Sequence, residues 1–108
     1  MAGRPRNPDR YMVTTLIGFS RAKCQADYRN EVWHLTIEDW REFWTRDLWP
    51  RRGRTTNAIC ITRRDYEKPW SRYNCCLVDR FDAIRVAKAR QAGRQPDPAI
   101  WANAIYLE

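Results

Sequence analysis

Lysine is scarce in this 108-residue chain, with three residues (23, 68 and 88) against 17 arginines, and His34 is the single histidine. One imidazole cannot build a histidine-rich metal cluster, and a lone histidine between Trp33 and Leu35 reads as a packed, hydrogen-bonded residue rather than a catalytic base. Glycine occurs four times and never in a phosphate-cradling pattern, so P-loop chemistry is excluded. Four cysteines (24, 60, 75 and 76) show neither a CxxC pair nor regular spacing. They predict no disulfide framework, no structural zinc and a reducing, cytoplasmic setting. No serine or cysteine stands in a nucleophile motif with a histidine partner. No apolar run approaches membrane-spanning length, and the N-terminus carries no apolar signal core, so neither membrane insertion nor secretion is expected. Internal repeats and low-complexity segments are also missing.

What is present is arginine and tryptophan. Six tryptophans and 44% hydrophobic residues are enough for a packed core, and the length suits one domain spanning 1–108. The formal charge is +7, with an isoelectric point near 9.7, which favours an anionic partner such as DNA or RNA. Arginine rather than lysine supplies that charge, and its planar fork suits phosphate and base edges. The charge is concentrated. Between Arg51 and Arg72 there are seven basic residues and two acids, Asp65 and Glu67, so this window carries +5 of the total.

Read in order, residues 1–10 form a basic arm rich in Pro and Arg. The apolar run 11–19 fits a strand or a helix lead-in, and periodicity does not separate the two. Residues 20–31 have helical composition with Ser20 as N-cap, placing Ala22, Ala26 and Trp33 on one face. Thr36 opens a second helix, with Glu38 and Asp39 in its first turn and Trp40, Phe43 and Trp44 as its core face. After the basic loop, Ala58–Thr62 and Cys75–Val78 read as two short antiparallel strands, with Cys75 and Cys76 on opposite sheet faces. The second strand is expected to pack on the Trp40 helix. A helix follows from about 79 to 92, contacting the domain on two sides and leaving Arg80, Arg85, Lys88 and Arg90 outward, with Gly93 as its stop. The segment 99–108 is apolar enough to dock on the core. The fold class predicted is α+β: N-terminal helices, a two-stranded antiparallel hairpin and a following helix.

The stretches LTIEDWREFW, RRGR, ICITRRD and YEKPWSRYNCCLVDR resemble a group of small bacteriophage proteins. Those proteins carry an LT-x-E-x-W helix before an R-G-R loop and an R-x-D … Y-x-x-x-N hairpin. That pattern is similar in turn to the ββα-metal, or HNH, endonuclease core; the likeness covers residues 35–88, half of the chain, and implies an HNH-like core over 35–92. The resemblance implies that Thr62-Arg63-Arg64-Asp65 takes the place of the first strand's end, that Asn74 ties the hairpin, and that Asp79 or Asp82 stands where the helix supplies a metal ligand. The chain departs from the pattern in two ways: Thr62 occupies the position of the strand-end carboxylate, and no histidine stands in the general-base position. Metal-assisted hydrolysis needs both functions.

The expectation is therefore a nucleic-acid-binding protein on a degenerate HNH-like scaffold, without catalysis and without a cofactor. The binding residues expected are Arg51, Arg52, Arg54, Arg63, Arg64, Arg72, Arg80 and Lys88, and the partner is expected to be DNA. One alternative is a phage factor that binds a host protein complex, which predicts an exposed apolar patch. The other is an active nuclease using Asp65, Asn74 and Asp82 with magnesium.

Overall fold

Asp9 sets the start of the first helix. Its Oδ1 accepts the backbone N–H groups of Tyr11 (3.1 Å) and Met12 (3.4 Å), filling two of the donors a helix start leaves open. The computed structural model describes residues 9–53, 55 and 57–107, so Arg54 and most of the expected N-terminal arm lie outside it. Helix α1 (Arg10–Tyr28) then runs unbroken for 19 residues. The ambiguous run 11–19 is thus helix, and Ser20 lies inside it rather than capping a new one. Two threonines that would favour a strand are accommodated because Thr14 and Thr15 return their hydroxyls to the carbonyls of Arg10 and Tyr11, each at 2.6 Å. The helix ends at Arg29, followed by Asn30 in the left-handed region with φ 59°. Trp33 therefore shares no helix face with Ala22 and Ala26. It lies past the helix, in a parallel bridge to Trp70.

Helix α2 (Ile37–Phe43) starts at Thr36, whose Oγ1 accepts the Asp39 N–H (3.0 Å) while Asp39 Oδ2 accepts the Thr36 N–H (3.1 Å). A 3₁₀ turn, Trp49–Arg51, leads into the basic loop. Strands β1 (Ile59–Arg63) and β2 (Cys75–Asp79) pair antiparallel, with Ile61 opposite Leu77, Arg63 opposite Cys75 and Ile59 opposite Asp79. Each outer edge of this two-stranded sheet carries a single bridge, Arg52 beside Ile59 and Ile105 beside Leu77. Asp79 then caps α3 (Arg80–Gln91), accepting the Asp82 N–H at 2.8 Å. Gly93, at φ 71°, ends it: the Gly93 and Arg94 N–H groups bond back to Arg90 and Ala89, a turn that a side chain would strain. The short α4 (Ala99–Ala102) and Ile105 fold the C-terminal segment onto β2.

The hairpin separates two cores. Ile59, Cys75 and Leu77 face Leu35, Trp40, Phe43, Trp44 and Trp49. Cys76 and Val78, on alternate positions, face Val86 of α3 and Ile100 of α4. Only half of β2 therefore packs toward α2, where the sequence had assigned all of it. Helix α3 rests on the domain through one side, Val86 and Ala89, while Phe81 and Ile84 are exposed rather than forming a second contact face. Arg90, expected to reach outward, folds under the hairpin and donates to the Arg63 carbonyl. A thin sheet buried on both faces, between a tryptophan layer and a lighter helical layer, is what positions the basic turn described next.

Candidate nucleic-acid interface

The turn between the strands, residues 64–74, is held by Asn74. Its Oδ1 accepts the Asp65 N–H at 3.1 Å, and its Nδ2 donates to the carbonyls of Asp65 (2.8 Å) and Pro69 (2.9 Å). The Arg64 N–H closes the hairpin on the Asn74 carbonyl. Beside this turn opens a cleft of about 760 Å3 whose walls include His34, Arg64, Asp65, Lys68, Tyr73 and Trp101. Tyr73 is 82% exposed, so nearly its whole ring is available to a ligand. His34 is exposed on the cleft wall and held only through its backbone, the N–H donating to Trp70 O at 2.7 Å. The packed histidine expected from sequence is thus a surface side chain.

Sheet alternation decides the fate of the neighbouring arginines. Arg63 lies on the tryptophan side. Its guanidinium, 8% exposed, donates to Glu31 Oε2 at 3.0 Å and to Lys68 O at 2.9 Å, and lies over the Trp70 ring. Glu31 also accepts from Arg29 and from the Trp70 indole at 3.1 Å. Burial alone would raise the Glu31 pKa, but the hydrogen bonds from Arg29 and Trp70 and the charge of Arg63 outweigh it and hold the carboxyl below its ordinary range. Arg63 is accordingly a buried clamp between β1 and the end of α1, not a surface contact. Arg64, one residue on, points to the other side, exposed, with its guanidinium 5.3 Å from the Tyr106 ring centroid. It has no carboxylate partner among the described residues.

The remaining expected contacts divide. Arg72 bonds Asp39 (2.8 Å) and both oxygens of Glu42 (3.1 and 3.2 Å), tying the turn to α2. Arg51 is exposed, and Arg52 lies over the Trp49 ring at 3.3 Å and beside Ile59, where burial lowers its pKa. That loop and the half-buried Arg80 stand at the Ile59/Asp79 end of the hairpin. Arg64, Lys68 and Arg72 stand at the other end, about 13 Å away along four strand residues. Lys88 is exposed further along α3. The basic window therefore forms two groups rather than one.

The residues named for a nuclease are parted in the same way. Asp65 and Asn74 meet at the turn, whereas Asp82 sits in the first turn of α3 at the opposite end of the hairpin, 3.5 Å from Arg85. Asp65 is engaged locally, its Oδ1 accepting the Glu67 N–H and its Oδ2 facing Lys68 at 3.8 Å. The Cys75 and Cys76 thiols are pushed up by burial, to about 12 and about 11, and stay protonated at neutral pH. Sequence reasoning missed Trp101 and Tyr106 around the turn, and Arg90 beneath it. Their meeting depends on α4 and Ile105 returning to β2, which no local pattern announces. Against protein-family models, curated proteins and solved structures, the chain finds no match.

Proposed function

We propose that this protein binds nucleic acid at the hairpin turn and does not cleave it. The observation that carries the reading is Arg64, an exposed guanidinium without a carboxylate partner among the described residues, on the rim of a cleft walled by Tyr73 and Trp101. A cation to meet phosphate beside aromatic faces to meet bases is the combination that single strands use. The separation of Asp82 from Asp65 and Asn74 supports binding without hydrolysis. The working compartment in this reading is the cytoplasm, in keeping with four free thiols. Descent from a phage HNH-like core is the origin we propose for the scaffold, supported by its strand–turn–strand–helix order.

The test is an Arg64→Glu/Lys68→Glu double variant, titrated beside the parent against duplex and single-stranded DNA and RNA at two salt concentrations. The parent should bind with a salt-dependent affinity, and the variant should lose affinity across all sequences alike. Equal binding by the two proteins, or none by the parent at low salt, would remove the reading.

One observation favours a second reading. Met12, Val13, Leu16 and Ile17 lie on one side of α1 and are between 41% and 50% exposed, an apolar face of the kind that meets another protein. A Leu16→Lys variant that keeps nucleic-acid affinity but loses a host-protein complex would put that reading first.

A further inference from the structure

Behind the hairpin turn, on the side away from α2, lies a second and smaller pocket of about 240 Å3 between the turn and the end of α3. Arg64, Tyr66, Arg90 and Gln95 line it, with Asp65 and Glu67 also on its wall. Arg64 and Asp65 line both this pocket and the larger cleft. We propose that this pocket is a phosphate-binding site, built to take one anionic phosphate group between the guanidiniums of Arg64 and Arg90.

Arg90 is the centre of the argument. It comes from the last turn of α3 and is packed under the Tyr66 ring, 5.3 Å from the centroid. Among the described residues, its side chain makes one hydrogen bond, the donation to the Arg63 carbonyl. Its buried Nε–H has no acceptor among the described residues, and neither does the Nε–H of Arg63. Buried donors left in this state are rare in native proteins; the others among the described residues, the indoles of Trp40 and Trp44, lie in the tryptophan core, whereas Arg90 borders a pocket. The charge is unbalanced as well. Arg63 is answered by Glu31, but neither Arg90 nor Arg64 is in an ion pair with a described carboxylate. Burial, with the nearby Arg63 charge acting in the same direction, lowers the Arg90 pKa; the Asp65 charge acts against them without reversing the shift, which leaves a cost that a bound anion would relieve.

The two acids on the wall do not supply that anion. Asp65 spends one oxygen on the Glu67 N–H and turns the other toward Lys68, while the Glu67 side chain is exposed. An oxyanion entering the pocket meets two planar guanidinium forks and the Gln95 amide, donors that suit a tetrahedral group with several oxygens. The carrier of the phosphate is taken from the nucleic-acid reading above, on which this part alone rests. A strand whose bases lie in the cleft against Tyr73 and Trp101 would pass its backbone over Arg64 into the pocket.

The experiment follows the arginine Nε–H resonances of the full chain while inorganic phosphate is added at constant ionic strength in chloride. A saturable shift of the Arg90 Nε–H is expected, lost in Arg90→Gln, weakened in Arg64→Gln, and kept in Arg94→Gln, whose side chain borders a different hollow. Arg64 is exposed, so its variant should fold even if the Arg90 variant does not. A response that does not saturate, or that survives in Arg64→Gln unchanged, would overturn the proposal. A second arm titrates short single-stranded oligonucleotides over a salt series. Loss of about one unit of salt slope in Arg64→Gln assigns the phosphate to a nucleic-acid backbone. Saturation by inorganic phosphate with no oligonucleotide binding upholds the pocket as a site for a small phosphorylated ligand and discards the nucleic-acid reading. Oligonucleotide binding with an unchanged slope and no phosphate shift discards the pocket and leaves that reading standing.

Discussion

On one face of the hairpin, Ile59, Cys75 and Leu77 meet five tryptophans and Phe43; on the other, Cys76 and Val78 meet Val86, Ile100, Trp101 and two alanines. The first face is a continuous aromatic mass. Trp40 lies within 6.3 Å, ring to ring, of Trp33, Trp44 and Trp49, and Trp33 within 5.7 Å of Trp70. Its charges are answered too, Arg63 by Glu31 and Arg72 by Asp39 and Glu42. The second face is thinner, and along its rim lie Arg64 and Arg90, neither in an ion pair with a described carboxylate. The contrast teaches how so small a domain divides its labour. One side of a two-stranded sheet carries the stability, and the other can then hold charge that the fold does not need.

If that division is right, the largest losses come from the tryptophan side. Phe43→Ala should cost about 3–5 kcal/mol, because a fully buried ring leaves a cavity that the surrounding indoles cannot close. Ile100→Ala, on the thinner side, should cost about 2–3 kcal/mol, as a short terminal helix can shift to fill the space. Urea titrations of both variants decide this, and equal losses would mean the two cores are equally rigid.

Next in size is the contrast of adjacent arginines. Arg63→Gln should cost about 2–3 kcal/mol, since it leaves Glu31 without its buried partner, discounted for the carboxylate's remaining exposure. Arg64→Gln should change stability by no more than about 0.5 kcal/mol while reducing ligand affinity. Paired melting curves and phosphate titrations separate the two roles.

A smaller effect is expected at Gly18. Alanine there would improve helix propensity by about 1 kcal/mol, but its Cβ would come within 2.7 Å of the Trp49 ring. Overpacking of that kind costs about 1–3 kcal/mol, so the net change should be a loss of up to about 2 kcal/mol. A gain in melting temperature would show that the indole layer yields.

The smallest effect concerns acid. Because the folded protein holds the Glu31 carboxyl below its ordinary value of 4.5, the stability it contributes is complete above that value and is lost as pH falls through the folded pKa. A Glu31→Gln variant should be less stable than the parent at pH 7 and lose less on acidification. Parallel acid limbs in denaturant midpoints would remove Glu31 as the coupling between α1 and the hairpin.

Much of the fold was legible because its signals are local. A β-branched run, a turn and a second short apolar run specify a hairpin without help from distant residues, and Asp79 and Thr36 are caps whose side chains bond their own helix starts. Which of two neighbouring arginines faces inward was not legible. Period-two alternation says that Arg63 and Arg64 point apart, but only the arrival of Glu31 and Trp70 makes one side the interior. The run 11–19 is a similar case, decided when Trp49 and Arg41 packed on α1 and donated hydrogen bonds to the hydroxyls of Thr14 and Thr15. The sequence by itself determined the hairpin, the helices α2 and α3 that flank it and the basic character of the turn, because propensity, capping and charge act over a few residues. The tertiary structure alone decided which cations are spent on the fold and which are left without a described carboxylate. That choice depends on partners about 30 positions away in the chain, as with Arg63 and Glu31, where burial and not residue type sets the outcome.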